Sequence, residues 1–203
     1  MLLSMPTRDA MQVVDPLDDL FARGRSAQAA IKTLSASFTE TTASTLLRDP
    51  LIATGTLVAA LPIRVVMNYG SPSAKTVALD EARLVVVWPS RGQREEINIA
   101  ATQRRVRKYF TDATPKQLRE TFTVTLSSDA AFHQAYVLDL IPKRKEIAEG
   151  LRHLRLWIDR TRFVMLKLTM DYPGGDSKTL ELHDIRTNVA IDESTFALLA
   201  RRK

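Results

Sequence analysis

The chain has 203 residues, 45% apolar and 26% charged. These are ordinary globular values, which exclude a disordered or collagen-like polymer. No apolar run approaches the ~20 residues that cross a bilayer as a helix, and the absence of cysteine excludes disulfides, thiolate metal sites and cysteine nucleophiles. The net charge of +6 arises wholly in the second half of the chain, which fits either a surface of positive bias or an anionic partner.

Residues 1–14 read as a loose tail, and Met1–Met11 lack the basic and long apolar stretches of a secretory signal. One domain is expected over 15–203. Asp15-Pro16 opens a helix, with Asp15 as N-cap and Pro16 in the first turn. Leu17, Leu20, Phe21, Ala27, Ala30, Ile31 and Leu34 continue it at helical spacing. Gly24 interrupts the pattern, so the segment predicts one helix with a weak middle or two short ones.

From Ser35 the period changes to two. Leu57–Tyr69 reads as one long extended segment, with Pro62 marking an edge or a bulge. Gly70–Ser73 is a turn. Thr76–Leu79 and Leu84–Trp88 form a hairpin about Asp80–Arg83, and Glu95–Ile99 is a further short strand. Ala100–Phe110 predicts a basic helix. Thr114-Pro115 opens a second, with Gln117 placed for a capping box. Strands resume at Phe122–Leu126, Tyr136–Ile141, Leu151–Asp159, Arg162–Asp171 and Lys178–Thr187. Gly174-Gly175-Asp176 makes the last hairpin turn, and Phe196–Leu199 predicts a final strand. Consecutive strands on short connections imply an antiparallel meander. So many strands curl, and helices must cover the inner face of the curl.

A catalytic kit is not legible. His133, His153 and His183 stand apart in the sequence, and no nucleophile elbow, P-loop, dinucleotide fingerprint or metalloprotease helix is present. The expectation is a protein that is not an enzyme and holds no cofactor or metal. Arg104, Arg105, Arg107 and Lys108, next to Tyr109 and Phe110, fit a helix with a charged face, an anionic docking surface or a nucleic-acid contact. The first is favoured, and no nucleic-acid partner is expected. In 154–159, Leu154, Leu156 and Ile158 share one strand face while Arg155, Trp157 and Asp159 share the other.

The order of motifs resembles a known family. Ile31–Glu40 is similar to the helix-to-strand opening of the outer-membrane lipoprotein carrier (LolA-like) family. Gly55-Thr56-Leu57-Val58 follows, then Pro62–Tyr69 with Pro72 beyond it. Leu79–Leu84 with Pro89, the Leu138-Asp139-Leu140-Ile141-Pro142-Lys143 strand end, and Asp171, Gly174-Gly175, Asn188 and Phe196 come in the family's order. The resemblance spans roughly residues 25–198 and identifies a divergent member.

It implies an α+β fold: a curled, unclosed antiparallel β-barrel of about ten or eleven strands, capped by an N-terminal helix and a helical insert. It further implies a periplasmic, monomeric carrier. Its cargo would be acylated lipoprotein or lipid, taken from an inner-membrane donor and passed to an outer-membrane acceptor. A lipid- or lipoprotein-binding sensor on the same scaffold, without transport, is the alternative. The apolar ligand cavity is assigned to Phe38, Val65, Met67, Tyr69, Leu84, Val86, Phe110, Leu118, Phe122 and Met165. Among these, Val65, Met67 and Tyr69 share a strand face by alternation.

Four positions depart from the family pattern. Leu61 stands where the family's lid-latching arginine would be, Val65 and Met67 replace a phenylalanine and a tryptophan, and Glu81 replaces a hairpin glycine. Charge-assisted hydrogen bonds are worth ~1.5–3 kcal/mol. Their loss is expected to be offset by apolar burial around Phe110 and Leu118, since an open cavity exposes a patch that soluble monomers avoid. Leu61→Arg should then change the affinity for a fluorescent acyl probe by less than tenfold, ~1.4 kcal/mol. A larger change would mean that the latch's polar partners persist here.

Overall fold

The computed structural model describes residues 15–200 apart from Pro62 and Ser73. The expected tail over 1–14, and the last three residues of the expected domain, lie outside the described residues. Helix α1 (Pro16–Ala30) starts where the Asp15 carboxylate accepts the Leu17 N–H at 2.8 Å. Gly24 does not break it. Leu17, Leu20 and Gly24 are its buried positions, and a side chain at Gly24 would begin 3.6 Å from the Phe163 ring.

Six strands follow: β1 (Thr33–Ala43), β2 (Leu51–Ala60), β3 (Arg64–Tyr69), β4 (Lys75–Leu79), β5 (Arg83–Trp88) and β6 (Gln93–Asn98). The insert comprises α2 (Ala100–Val106), a π-helical turn (Arg107–Thr111) and α3 (Pro115–Thr121). Then come β7 (Phe122–Ser127), β8 (Ala135–Pro142), α4 (Lys145–Ala148), β9 (His153–Asp159), β10 (Met165–Asp171) and β11 (Ser177–Thr187). The capping box of α3 is present: Thr114 accepts the Gln117 N–H at 3.2 Å, and Gln117 accepts the Thr114 N–H at 2.9 Å.

All eleven strands form one sheet, in the order β6-β5-β4-β3-β2-β1-β11-β10-β9-β8-β7. Every neighbouring pair is antiparallel. Two meanders thus meet at the long β1–β11 pair. The edges β6 and β7 do not pair, so the barrel stays unclosed, and the insert is the connection between them. Paired residues of antiparallel strands share a face. One row therefore runs Leu126, Leu138, Leu156, Leu168, Leu180, Glu40, Ala53. A parallel row runs Ala36, Leu57, Met67, Val77, Val86. Helices α1 and α3 pack on the leucine half of this face.

Three expectations are corrected. Phe196–Leu199 is not a strand but part of a 3₁₀ helix, Glu193–Leu199. The Asp192 carboxylate caps it by accepting the Ser194 N–H at 2.8 Å. Phe196 and Leu199, one turn apart, are buried on the opposite sheet face against Val66, Ala78 and Val85. The span Leu57–Tyr69 is not one extended segment but parts of β2 and β3, which end at Ala60 and begin at Arg64 and run antiparallel. Arg162 belongs to a turn rather than to β10. There Asp159 accepts the backbone N–H groups of Thr161 and Arg162 at 2.8 and 2.7 Å.

Gly55 in β2 faces Phe38 across the strand pair. The Phe38 ring, 1% exposed, lies over the glycine, and an added Cβ would meet its Cζ at 2.7 Å and also the Asn68 carbonyl. The carbonyl belongs to the β2–β3 ladder and cannot step aside. Gly55→Ala is therefore expected to destabilise the fold by about 2 kcal/mol or more, within or above the ~1–3 kcal/mol typical of overpacking. Urea unfolding checks this, and a loss below about 0.5 kcal/mol would contradict the close approach.

Candidate functional site

Between α1 and the sheet lies a cavity of about 270 Å³. Its roof is Leu20, Phe21 and Gly24 of α1, and its floor is Leu138, Leu140, Leu156 and Ile158 of β8 and β9. Phe163 closes one end, while Phe110, Ala113 and Leu118 of the insert close another. Among the described residues the lining is polar only at Arg25, Gln28 and Thr111, all three exposed, which places the opening along that edge of α1. The π-helical turn matters locally. The extra residue in that turn carries Phe110 onto Phe122, with ring centroids 4.9 Å apart.

Phe163 is aimed into the cavity by its backbone. Its φ of 53° is left-handed, which is costly for a bulky residue, and the turn Asp159–Phe163 holds it there. Burial by itself would raise the Asp159 carboxyl. The Arg162 and Thr161 backbone N–H groups and the Arg162 guanidinium outweigh burial and hold it below the ordinary carboxylate range.

The ten residues assigned to the cavity from sequence fall in three places. Phe110 and Leu118 line it, and Phe122 stands directly behind them. Phe38, Val65, Met67, Tyr69 and Met165 gather further along the same sheet face, in a second apolar cluster with Leu57 and Leu182. Leu84 and Val86 lie on that face in β5, half-buried and outside both clusters.

A polar spot lies at the edge of the second cluster. Glu40 accepts from the Tyr69 hydroxyl at 3.0 Å and from the Lys178 ammonium at 3.2 Å. Burial, and then the facing carboxylate, push the Tyr69 phenol well above its ordinary range, so it remains a donor. The sequence signals missed for the floor, Leu138, Leu140 and Leu156, were alternating leucines on successive strands. Periodicity identifies such a face but not what covers it.

The histidines lie away from the cavity. On the opposite sheet face, His153 stands 2.8 Å from Asp139 and 3.4 Å from Asp171, and His183 stands 3.3 Å from the Thr39 hydroxyl. Of the basic cluster, Arg107 pairs with Glu81 at 3.6 Å and Asp112 at 3.3 Å, tying the insert to the β4–β5 hairpin. Leu61 is 44% exposed and lines a surface hollow with Asp80 and Glu81, whose carboxylates already face Arg83 and Arg107. No described helix is long and apolar enough to cross a membrane.

The family model for the outer membrane lipoprotein carrier protein LolA matches residues 29–198. No curated protein matches the sequence. Solved structures share the fold at low identity. A DUF1329 family protein from Desulfovibrio piger is 9% identical over 90% of this chain and 98% of its own, with a TM-score of 0.51. An uncharacterized conserved protein from Thermus thermophilus is 8% identical over 88% and 91%, with a TM-score of 0.56. MucB in the Pseudomonas aeruginosa MucA/MucB complex is 16% identical over 90% of this chain but only 60% of that one, with a TM-score of 0.53.

Asp159 supports the cavity's end wall, so its protonation can be read in stability. Its folded pKa is depressed, so its contribution is complete above the unfolded value of ~3.9 and is lost as pH falls through the folded one. Asp159→Asn is expected to cost about 1–3 kcal/mol at pH 7. The gap to the parent protein should narrow steadily below about pH 4. Thermal unfolding of both proteins from pH 7 to 2 measures it, and a gap that stays constant with pH would refute the assignment.

Proposed function

The chain belongs to the family of the outer membrane lipoprotein carrier protein LolA, and from that membership we propose that it binds acyl chains in the cavity under α1 and carries them through the periplasm towards the outer membrane. The observation that supports this is the cavity itself: an apolar space between a helix and a leucine floor, with polar residues only at its opening. A dense core would leave no such space.

The energetics suit a carrier. Burying acyl chain yields ~0.8 kcal/mol per methylene, so about 16 carbons offer roughly 12 kcal/mol before opening costs. At about 270 Å³ the cavity falls just short of the ~300–1,000 Å³ that encloses a drug-sized ligand. A long chain therefore enters by lifting α1, and the lost helix burial offsets part of the gain. That offset keeps binding reversible, which delivery to an acceptor requires. The second reading is a sensor that holds acylated cargo without passing it on. Its support is the fold shared with MucB, whose solved complex contains MucA.

Two measurements test these readings. The purified protein should take up a fluorescent acyl probe and move labelled lipoprotein from donor to acceptor vesicles. Uptake without transfer favours the sensor, and no uptake removes both. Leu156→Trp, which fills the cavity from its floor, is expected to weaken the probe at least tenfold, ~1.4 kcal/mol, with the circular dichroism spectrum retained. Unchanged affinity in that variant would place the ligand elsewhere.

A further inference from the structure

We propose that the cavity under α1 takes a single-chain amphiphile with an anionic head, and that Arg25 receives that head at the opening. The inference rests on the acyl-binding cavity of the reading above and departs from it in cargo, a single charged chain in place of a lipoprotein.

The argument begins with the edge of α1. Phe21, Arg25 and Gln28 are spaced four and three residues apart, so they form one stripe along the helix, and all three line the cavity. Phe21 is half-buried, whereas Arg25 and Gln28 are exposed. The stripe thus passes from apolar to cationic to neutral polar as it leaves the cavity.

The two arginines of this helix differ in what they do. Arg23 pairs with Asp19 at 3.3 Å and lies over the Phe163 ring at 5.1 Å. Arg25 makes no ion pair or hydrogen bond among the described residues. Among the described residues no carboxylate lines the cavity, so none of them competes there for the guanidinium. Gln28 and Thr111 add neutral hydrogen-bonding groups on the same rim.

This set matches an oxyanion on an acyl or alkyl chain. A guanidinium presents paired donors to a carboxylate or phosphate. The acylated terminus of a lipoprotein joins its chains through uncharged ester and amide groups and offers no such oxyanion. The C-terminal end of α1 carries partial negative charge and opposes an anion, so any preference for a charged head depends on Arg25.

The test uses the whole chain and a neutral probe, N-phenyl-1-naphthylamine, displaced by dodecanoate, dodecyl phosphate or methyl dodecanoate. In the parent protein at least one of the two anions should displace the probe at a concentration tenfold or more below that of the methyl ester. Whichever anion is stronger identifies the preferred oxyanion. Added salt should shrink the difference. Arg25→Gln should abolish the preference and leave displacement by the ester unchanged, while Arg25→Lys should retain part of it. Position 25 is exposed and glutamine is a good helix former, so the fold is not at stake. If anions and ester compete equally in the parent protein, or if the preference survives Arg25→Gln, the proposal falls and the cavity reading stands. If neither probe nor any competitor binds, the cavity reading falls with it.

Discussion

Alternation kept in register across eleven strands is the constraint from which the rest of the molecule follows. In an antiparallel pair, opposed residues share a face. Leu126, Leu138, Leu156, Leu168 and Leu180 therefore form one row across five strands. A slip of one residue anywhere would turn a whole strand's leucines to the other side. The apolar face holds the register, and the register makes the face continuous. Because the edges β6 and β7 do not pair, the chain between them must travel from one edge to the other, and the insert makes that connection.

A continuous face is larger than the helices that cover it. Helices α1 and α3 lie on the β7–β10 half. On the other half, Met67, Val77, Leu79, Leu84 and Val86 remain half-buried. Glu40, with Tyr69 and Lys178, stands where the leucine row gives out. A charge pair in such a place adds little net stability, because desolvation offsets attraction. It does end the leucine row at β1, beyond Leu180, so a chain lying along that row meets a polar step there.

Much of this was legible in the sequence, because it is local. The caps at Asp15 and Thr114, the hairpin about Asp80–Arg83, and the split between Leu154, Leu156, Ile158 and Arg155, Trp157, Asp159 all follow from residues a few positions apart. What failed was either ambiguous in period or non-local. Phe196 and Leu199 suit a strand and a 3₁₀ turn equally, and the choice fell to the Asp192 cap and to burial against β3–β5. The first half of β2 was missed because Leu51 and Ile52 are exposed and show no alternation. The cavity was only partly legible, through Phe110 and Leu118. Its floor depends on which half of the face α1 covers, and that is decided by Gly24 meeting Phe163, far apart in the chain.

That meeting also sets how the cavity can open. Gly24 brings α1 close to the Phe163 ring, and Arg23 of the same turn lies over that ring. Phe163 itself is held by the Asp159 turn in a backbone conformation that few bulky residues adopt. The far wall is different in kind. Phe110 rests on Phe122 through the π-helical turn in the middle of the insert, and the insert is tied to the hairpin by the exposed Arg107–Glu81 pair. Exposed ion pairs contribute at most about 1 kcal/mol, but the insert is also fixed by buried Leu118 and by Arg119, which pairs with Asp15 at the start of α1 at 2.6 Å. Because Arg119 couples the insert to α1, a chain that lifts the helix edge moves the insert with it, while the Asp159 turn keeps Phe163 in place.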